Sequence, residues 1–369
     1  MILLRLQLRS ILTNLKTDGK RLTMKNYQWH EWDINHFRTL SPLQNDPTKE
    51  LIHNRMGRLY WVTAGDALYV QRFARENGPY QGRNLKFLRK LKPNARTICD
   101  VGMNVANNTM EYATWAQNVH GFEPFPETYK LAQANIELNQ HVELKGRYYD
   151  TKTVSTSLDP NHADGWYKTG KDQFASLTMT ANVTAHNVGL GDAPGSFEME
   201  DHPNNAGHNC ILTDDRKAKT KYTVHTVQVH TLDSYKFDDV DIIKVDCEGY
   251  ELPILKGAIQ TITSCRPVVQ LEIVEAQCKK FGYTPDDIWD FFLNTVGNYS
   301  VYDFRGQKLP DQWLKVKGVM DRFFVPNELA GSVQLDVATV HPGMKDGFKS
   351  KKKKAKVVNL APELFEIEE

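Results

Sequence analysis

Short apolar runs alternate with amphipathic stretches through the middle of the chain. Residues 96–101 (RTICDV), 240–245 (VDIIKV) and 268–273 (VVQLEI) have the length and the β-branched content of buried strands. Residues 127–139 carry apolar side chains at helical spacing. Strands that alternate with helices predict a mostly parallel sheet with helices on both faces, which is a doubly wound α/β fold. The same reasoning predicts strands at residues 119–123 and 183–190, helices at residues 108–118, 252–262 and 285–296, and a closing hairpin of residues 299–304 with residues 322–325.

Three segments depart from this alternation. Residues 66–91 carry apolar side chains at helical spacing on both sides of Gly78-Pro79, which predicts two helices as an N-terminal helical extension of the sheet. Residues 196–199 and 221–229 alternate apolar with polar positions, which predicts a β-ribbon insertion between the third and fourth strands. Residues 141–181 are polar, rich in Gly, Asp and Thr, and too long for an ordinary connection. We interpret them as a functional flap or an insertion.

The beginning of the chain lacks a sustained period. Residues 25–58 are polar and aromatic, which predicts an irregular arm. Residues 2–15 fit either a basic amphipathic helix on a membrane surface or, as we favour, a packing helix or frayed end. They lack the uninterrupted apolar stretch and the cleavage site of a signal peptide. Met24 offers an ordinary start, in which case residues 1–23 extend the reading frame upstream.

At the other end, residues 351–354 form a run of four lysines followed by acidic residues, which is typical of a solvated tail. We therefore divide the chain into an N-terminal arm (residues 1–58), a catalytic domain (residues 59–327) with an insertion at about residues 141–181, and a C-terminal tail (residues 328–369).

Composition narrows the class of protein. The 46 Lys and Arg residues nearly balance 45 Asp and Glu residues, and a net charge of +1 creates no general attraction for nucleic acid. The five cysteines are odd in number and contain no CxxC pair, which argues against a disulfide framework and a zinc site and favours a reducing, cytoplasmic location. No apolar run approaches the ~20 residues that a membrane span needs.

Candidate ligand-binding residues follow the first two strands. Asp100, Gly102 and Asn104 end the first strand, where a glycine lets the backbone approach a ligand and the next helix presents its N-terminus. Glu123 ends the second strand about 20 residues later, the usual place of an acid that binds ribose hydroxyls. The loop lacks the G-x-G-x-x-G pattern of pyrophosphate-binding sites, since Ala106 stands at a later glycine position. The pattern favours S-adenosylmethionine over NAD.

The fourth strand leads into Lys244, Asp246, Glu248 and Glu251, four charges in eight residues. Charges at the carboxyl end of a central strand project into the crevice where such sheets bind ligands. Asp246 and Glu248 are separated by one residue, so an extended chain turns both toward one face. The competing interpretation is a structural ion pair between Lys244 and a neighbouring carboxylate.

The run VDIIKVDCEGYELPILKGA (residues 240–258) resembles the signature of the FkbM-type methyltransferase family. In the same order, TICDVGMN, FEPFPETY, HNVGLGDAPGSFEM, VHTLDSY, VVQLEIV and DRFFVP resemble other segments of that family, so that the similarity covers roughly residues 59–327. The chain departs from the family at Met103, Ala106 and Gln81, and residues 141–181 have no clear counterpart. The first three departures touch the cofactor site, and the last leaves the substrate open.

The resemblance implies a Rossmann-like class I methyltransferase sheet, S-adenosylmethionine as cofactor, and O-methylation of a sugar, a glycan or another hydroxylated small molecule. Its implied site residues fall into three groups. Asp100, Gly102 and Asn104 would hold the methionyl end, Glu123 the ribose, and Asp192 the adenine side. Asp246 and Glu248 would lie near the transferred methyl group, where one orients or deprotonates the acceptor, with Lys244 pairing one of them.

Three alternatives stay open. A nucleic-acid methyltransferase is disfavoured because the chain lacks a D/N-P-P-Y/F motif and a Pro-Cys nucleophile pair. A metal-dependent O-methyltransferase would use Asp246, Glu248 and Glu272 as oxygen ligands, but no spacing marks a dedicated metal loop, so we expect no metal. An inactive methyltransferase fold that serves as a scaffold is the third.

Overall fold

The computed structural model describes residue 41 and residues 43–53, 58–65, 81–140, 145–148, 173–176, 179–202, 209–212, 221–309 and 320–333. Its strands are β1 Lys49–His53, β2 Leu59–Thr63, β3 Thr97–Val101, β4 Asn118–Phe122, β5 Lys145–Tyr148, β6 Gln173–Ser176, β7 Asn182–His186, β8 Gly189–Leu190, β9 Gly195–Glu200, β10 Cys210–Ile211, β11 Val224–His230, β12 Val240–Val245, β13 Val268–Ile273, β14 Tyr299–Tyr302 and β15 Met320–Pro326.

The α-helices of the described residues are α1 Gly82–Leu91, α2 Asn107–Tyr112, α3 Pro126–Gln140, α4 Glu251–Lys256, α5 Ile259–Cys265, α6 Glu275–Cys278 and α7 Pro285–Asp290. A π-helix, Phe291–Val296, continues α7. None of the described helices has the length and apolarity that crossing a bilayer would require.

Within the described residues, a seven-stranded sheet has the order β14-β15-β13-β12-β3-β4-β7. Strand β12 lies between β3 and β13 and is parallel to both, whereas β15 is antiparallel to its neighbours β13 and β14. If these seven strands are numbered by their order along the chain, their order in the sheet is 6-7-5-4-1-2-3, and strand 7 is the antiparallel one. This topology confirms the Rossmann-like class I methyltransferase sheet.

Alternation along the central strands divides the apolar core into two layers. Ile98 and Ile242 belong to a cluster on one face with residues of α1, α2 and α3. Cys99 and Ile243, the next residues along the same strands, belong to a cluster with residues of α4, α5 and α7. Successive side chains of a strand point to opposite faces, so helices on both faces are a consequence of these apolar runs.

The β-ribbon is confirmed and is larger than expected. Strands β9 and β11 pair antiparallel, with β10 on the far side of β9 and β8 parallel to β11. The expected single strand at residues 183–190 is wrong in this respect, because it divides into β7 of the central sheet and β8 of the ribbon. The chain changes sheets between these two strands, and this brings the ribbon to the carboxyl edge of the central sheet.

Two other expectations need correction. The arm is not wholly irregular, since β1 pairs antiparallel with β2. The helix expected at residues 252–262 divides into α4 and α5 at Gly257, where a Cβ atom would lie 1.8 Å from the carbonyl oxygen of Gly191. The helix expected at residues 108–118 is the shorter α2, and it ends before β4 begins.

The remaining predicted strands and helices of the core are confirmed to within a few residues, and α1 is the second of the two helices expected before the sheet. Residues 1–40, 66–80 and 334–369 lie outside the described residues. The first predicted helix, the alternative start at Met24 and the lysine run fall within these ranges. Of the insertion at residues 141–181, only residues 145–148, 173–176 and 179–181 are described. The boundaries of the arm, domain and tail stay predictions.

Candidate functional site

A cavity of about 280 Å³ lies at the carboxyl edge of the central sheet. Its floor is formed by the residues that follow β3, β4 and β12, and its cover by side chains of the ribbon such as Phe197 and Met199. This volume is just below the ~300 Å³ at which the usual range for small-molecule sites begins. It lies where open α/β sheets bind ligands.

The loop after β3 has an unusual backbone. Gly102, Asn104 and Ala106 have φ angles of +76°, +50° and +69°. A Cβ atom on Gly102 would lie 2.1 Å from the carbonyl oxygen of Asp246. Gly102 lines the cavity, and the chain after β12 approaches it too closely for a Cβ atom, which is a reason for glycine that we did not give from the sequence.

Asp100 lies beneath the cavity and does not line it. Its side chain is fully buried, and Oδ2 accepts a hydrogen bond of 2.6 Å from the hydroxyl of Thr109. Burial raises the pKa of this carboxyl, although Lys244 and Thr109 act in the opposite direction. The structure therefore does not bring Asp100 to the surface where we expected it to meet the methionyl end of a cofactor.

Lys244 connects the two loops of the cavity floor. Its Nζ donates to the carbonyl oxygen of Gly102 at 3.0 Å and lies 3.3 Å from Asp100 Oδ1 and 3.5 Å from Asp246 Oδ2. Burial opposes a charge on this amine, but the carboxylates of Asp100 and Asp246 outweigh burial and raise the pKa of Lys244. Both the functional and the structural interpretation of Lys244 are compatible with this geometry, because it pairs two acids and also lines the cavity.

Glu123 lines the cavity and braces the glycine loop. One carboxylate oxygen accepts from the backbone N–H of Asn104 at 3.1 Å and the other from that of Phe125 at 2.9 Å. Burial raises the pKa of Glu123 to about 7, against the effect of these two bonds. A carboxylate has about four acceptor positions, so two remain for hydroxyl groups of a ligand.

Asn107 and Asn108, at the start of α2, add two acceptors to the cavity wall. Among the described residues, neither Oδ1 atom receives a hydrogen bond, and both atoms are buried. The side-chain amide of Asn108 donates to Gln81 at 2.9 Å, so its orientation is fixed. Buried acceptors without donors are costly, and these two suit a ligand that carries N–H groups. Sequence reasoning missed both, although an Asn pair directly after a glycine loop is a signal that could have been used.

Three acids come from the ends of β12 and β13. Asp246, Glu248 and Glu272 all line it. Burial, with repulsion from Asp246 and Glu251, raises the pKa of Glu248 to about 7. Burial, repulsion from Asp246, Asp321 and Glu248, and a hydrogen bond with Asp246 raise the pKa of Glu272 to about 9. The arrangement places carboxyls of different proton affinity beside one cavity.

A strained turn holds Glu248 in place. Glu248 and Gly249 have φ angles of +54° and +104°, and the amide of Gln277 donates a hydrogen bond to Glu248. Glu251 closes the turn by accepting from the N–H groups of Cys247 and Gly249, each at 3.1 Å. Left-handed backbone at a non-glycine residue costs of order 1–3 kcal/mol and often marks a functional site. The role of Glu251 in this turn was not foreseen from the sequence.

Asp192 is the one expected site residue on the outside. It is exposed and does not line the cavity. The ligand atoms of the three acids do not all lie within 4.8 Å of one another; among the described residues, the set of three that does comes from the ribbon. The structure thus brings together Gly102, Asn104, Glu123, Lys244, Asp246 and Glu248, with Asp100 beneath them and Asp192 apart.

Comparison with protein families gives a match to the methyltransferase FkbM domain over residues 100–305, which is more than half of the chain. Among solved structures, the FkbM methyltransferase of Methylobacillus flagellatus KT is similar, with 15% identity and a TM-score of 0.36, over 63% of this chain and 44% of the other. This chain therefore spans less than half of the length of that protein.

Two further solved structures are similar to this chain. A TehB-like SAM-dependent methyltransferase from Corynebacterium glutamicum matches with 9% identity and a TM-score of 0.35, over 71% of this chain and 98% of the other. An O-methyltransferase from Bacillus cereus in complex with SAH matches with 13% identity and a TM-score of 0.31, over 68% of this chain and 82% of the other. No curated protein sequence matches this chain.

Proposed function

This chain belongs to the FkbM methyltransferase family, and we propose that it transfers a methyl group from S-adenosylmethionine to a hydroxyl group of a sugar, a glycan or another small molecule. The observation that carries the proposal is the shared cavity. Glu123 follows β4, and Asp246 and Glu248 follow β12 on the other side of β3, and all three line the cavity. A ribose-binding acid and a proton acceptor are the two groups that such a reaction requires on the protein.

The residues of the cavity fit S-adenosylmethionine. Glu123 would accept hydrogen bonds from the ribose hydroxyls with its remaining lone pairs. Asn104 and the backbone of Gly102 would hold the amino-acid end, together with the buried acceptors of Asn107 and Asn108, which suit an ammonium group. Apolar side chains that line the cavity, among them Val188, Leu190 and Ile254, would pack on the adenine. Asp192 has no part in this proposal because it lies outside the cavity.

When bound, the cofactor supplies an electrophilic methyl group on a sulfonium sulfur. The protein must place the acceptor oxygen in line and help to remove its proton. Glu248 is the proposed base, since a pKa of about 7 leaves a substantial fraction ionised at neutral pH. Asp246, held by Lys244, would orient the acceptor, and protonated Glu272 would donate a hydrogen bond to another of its oxygens.

Two measurements test this proposal. Calorimetry with S-adenosylmethionine and S-adenosylhomocysteine tests the cofactor, and transfer of labelled methyl into monosaccharides, glycan extracts and RNA tests the acceptor. We expect the protein to bind both S-adenosylmethionine and S-adenosylhomocysteine, and we expect the labelled methyl group to appear in a hydroxylated small molecule. Absence of cofactor binding by the folded protein would favour an inactive scaffold. Label in RNA alone, with binding that weakens steeply as salt is added, would favour a nucleic-acid methyltransferase.

A further inference from the structure

A second cluster of ligand-type side chains lies in the ribbon. Glu200, His202 and Cys210 each offer one ligand atom, and the three atoms lie within 4.8 Å of one another. Glu200 and Cys210 are opposite one another in the antiparallel pair β9–β10, so their side chains share a face. The register of this strand pair therefore explains why the side chains of Glu200 and Cys210 lie close together.

These side chains are held in a buried setting. Glu200 is 2% exposed, Cys210 is 8% exposed, and the side chain of His202 is 17% exposed. His202 Nε2 lies 3.2 Å from Glu200 Oε2, and the His202 ring packs against that of Tyr222 with 4.2 Å between centroids. The backbone N–H of His202 donates to Asn209 Oδ1 at 2.8 Å, next to Cys210. Contacts on both sides thus fix where the imidazole lies.

The chemistry of the set selects the ion. A thiolate, an imidazole and a carboxylate are together the ligands that Zn²⁺ takes, whereas Mg²⁺ and Ca²⁺ take oxygen ligands. Three protein ligands leave one of four tetrahedral positions for water or another ligand. Cys210 also lines the cavity, so the cluster adjoins the cavity wall.

We propose that Glu200, His202 and Cys210 bind a single Zn²⁺ ion in the ribbon, at the edge of the cavity. On binding, the S–H bond of Cys210 breaks, its proton passes to solvent, and the sulfur donates an electron pair to the ion. The ion joins β9 to β10 and so fixes the wall that carries Phe197 and Met199 over the cavity. This site is separate from the acids that we propose for methyl transfer. From the sequence we expected no zinc site, because the chain lacks a CxxC pair.

Cobalt(II) is the probe for the test. The full-length chain is stripped of metal with a chelator, kept reduced, and titrated with Co²⁺ while the thiolate-to-cobalt charge-transfer band is recorded. We expect the band to saturate at one equivalent and to disappear when Zn²⁺ is added. Cys210→Ser should abolish the band, and His202→Asn and Glu200→Gln should weaken binding by more than the ~10–100-fold that changes outside the ligand set cost.

Cys265→Ser is the matched control, because this thiol lies on α5 and not in the ribbon. It should leave the band unchanged. A band that is absent from the parent protein, or that persists in Cys210→Ser, would overturn the proposal, as would unchanged affinity in His202→Asn. If Cys210→Ser does not fold, Cys210→His replaces it and should bind one Zn²⁺ without the thiolate band, whereas loss of zinc from folded Cys210→His would contradict the site.

The metal measurements do not use methyl transfer. The thermal midpoint of the apo protein should rise on addition of Zn²⁺, and this rise should be lost in Cys210→Ser. Failure of the zinc site would leave cofactor binding by Glu123 untouched, and failure of cofactor binding would leave the cobalt spectrum untouched. The two proposals can therefore fail separately.

Discussion

Lys244 and Asp100 are register partners on adjacent parallel strands, and their charged atoms lie 3.3 Å apart with neither side chain more than 4% exposed. The same amine reaches the carbonyl oxygen of Gly102 and the carboxylate of Asp246. A buried pair of this kind contributes little net free energy, but removing one partner leaves an isolated buried charge. Lys244 thus pairs two acids, one of which is a proposed functional acid.

Lys244→Met should lower the free energy of unfolding by about 3–5 kcal/mol, because Asp100 and Asp246 both lose their counter-charge. Denaturation in urea measures this change. Lys279→Met is the matched control, since Lys279 is 62% exposed and pairs only with an exposed acid in the described part of the chain, and it should be nearly neutral. A Lys244→Met protein as stable as its parent would show that the two carboxyls are neutral in the folded state.

The pair with Lys244 also explains why sequence reasoning misplaced Asp100. The pattern of strand, Asp and Gly correctly predicts a loop at the sheet edge, but Asp100 is still within β3 and its side chain faces Lys244 beneath the surface. Asp246 and Glu123 come after their strands, and both line the cavity. Strand ends can be predicted from apolar runs. Which side chain near the end of a strand still faces inward cannot, because a shift of one residue turns each side chain to the other face.

Contacts between segments that are far apart in the chain could not be predicted from the sequence. Nothing in the ribbon's alternating pattern indicates that Phe197 and Cys210 cover a cavity formed by β3, β4 and β12. The helical pattern is divided at Gly257, and there the chain meets the backbone of Gly191, which lies 66 positions earlier. Periodicity gives the elements and their order, while packing decides where they break and what they enclose.

Gly102→Ala should destabilise the protein by about 1–3 kcal/mol or more, since a Cβ atom would meet the carbonyl oxygen of Asp246 at 2.1 Å and a left-handed backbone would be forced on alanine. Chemical denaturation without any ligand is the measurement. Gly195→Ala is its control, because no atom lies within 4 Å of its added Cβ and its φ is not positive. Unchanged stability in Gly102→Ala would mean that the loop after β3 shifts readily.

Glu123→Gln should weaken binding of S-adenosylmethionine by about 1–3 kcal/mol, as expected when hydrogen bonds to a charged group are lost. The glutamine keeps an acceptor for the backbone N–H of Asn104 or Phe125, so the fold should persist. Calorimetry measures the affinity, and circular dichroism checks the fold. Glu127→Gln, an exposed change on the neighbouring helix α3, should leave the affinity unchanged. Equal affinities for the two variants would remove Glu123 from the ribose site.

Glu272 should make the protein less stable as pH rises. Its pKa is raised to about 9 in the folded chain, above the ordinary 4.5, so the folded state keeps a proton that the unfolded state has lost. The free energy of unfolding should therefore decrease between about pH 4.5 and 9, and Glu272→Gln should remove this part of the slope. Stability measured from pH 5 to 9 tests it, with exposed Glu275→Gln as the control. A parallel pH profile in Glu272→Gln would contradict the assignment.

Turnover tests the proposed base. If Glu248 takes the proton of the acceptor hydroxyl, kcat should rise with pH through about 7, where this carboxyl ionises. Glu248→Gln should lower kcat by ~10²–10⁴-fold, abolish the rise and leave cofactor affinity nearly unchanged. Asp246→Asn should lower kcat as well but keep the rise, because this variant retains the base. The rise should move to lower pH, since repulsion from Asp246 no longer raises the pKa of Glu248.

A second group titrates in the same range, since the pKa of Glu123 is also about 7. Measuring kcat at saturating cofactor separates the titration of Glu248 from that of Glu123, because the ionisation of Glu123 then no longer affects how much cofactor is bound. Glu123→Gln should then retain the rise in kcat that Glu248→Gln loses. Exposed Asp286→Asn controls for the removal of a charge and should match the parent. If both Glu248→Gln and Asp246→Asn turn over at the parental rate, the proton leaves to solvent, and the acids after β12 act only on the structure of the loop.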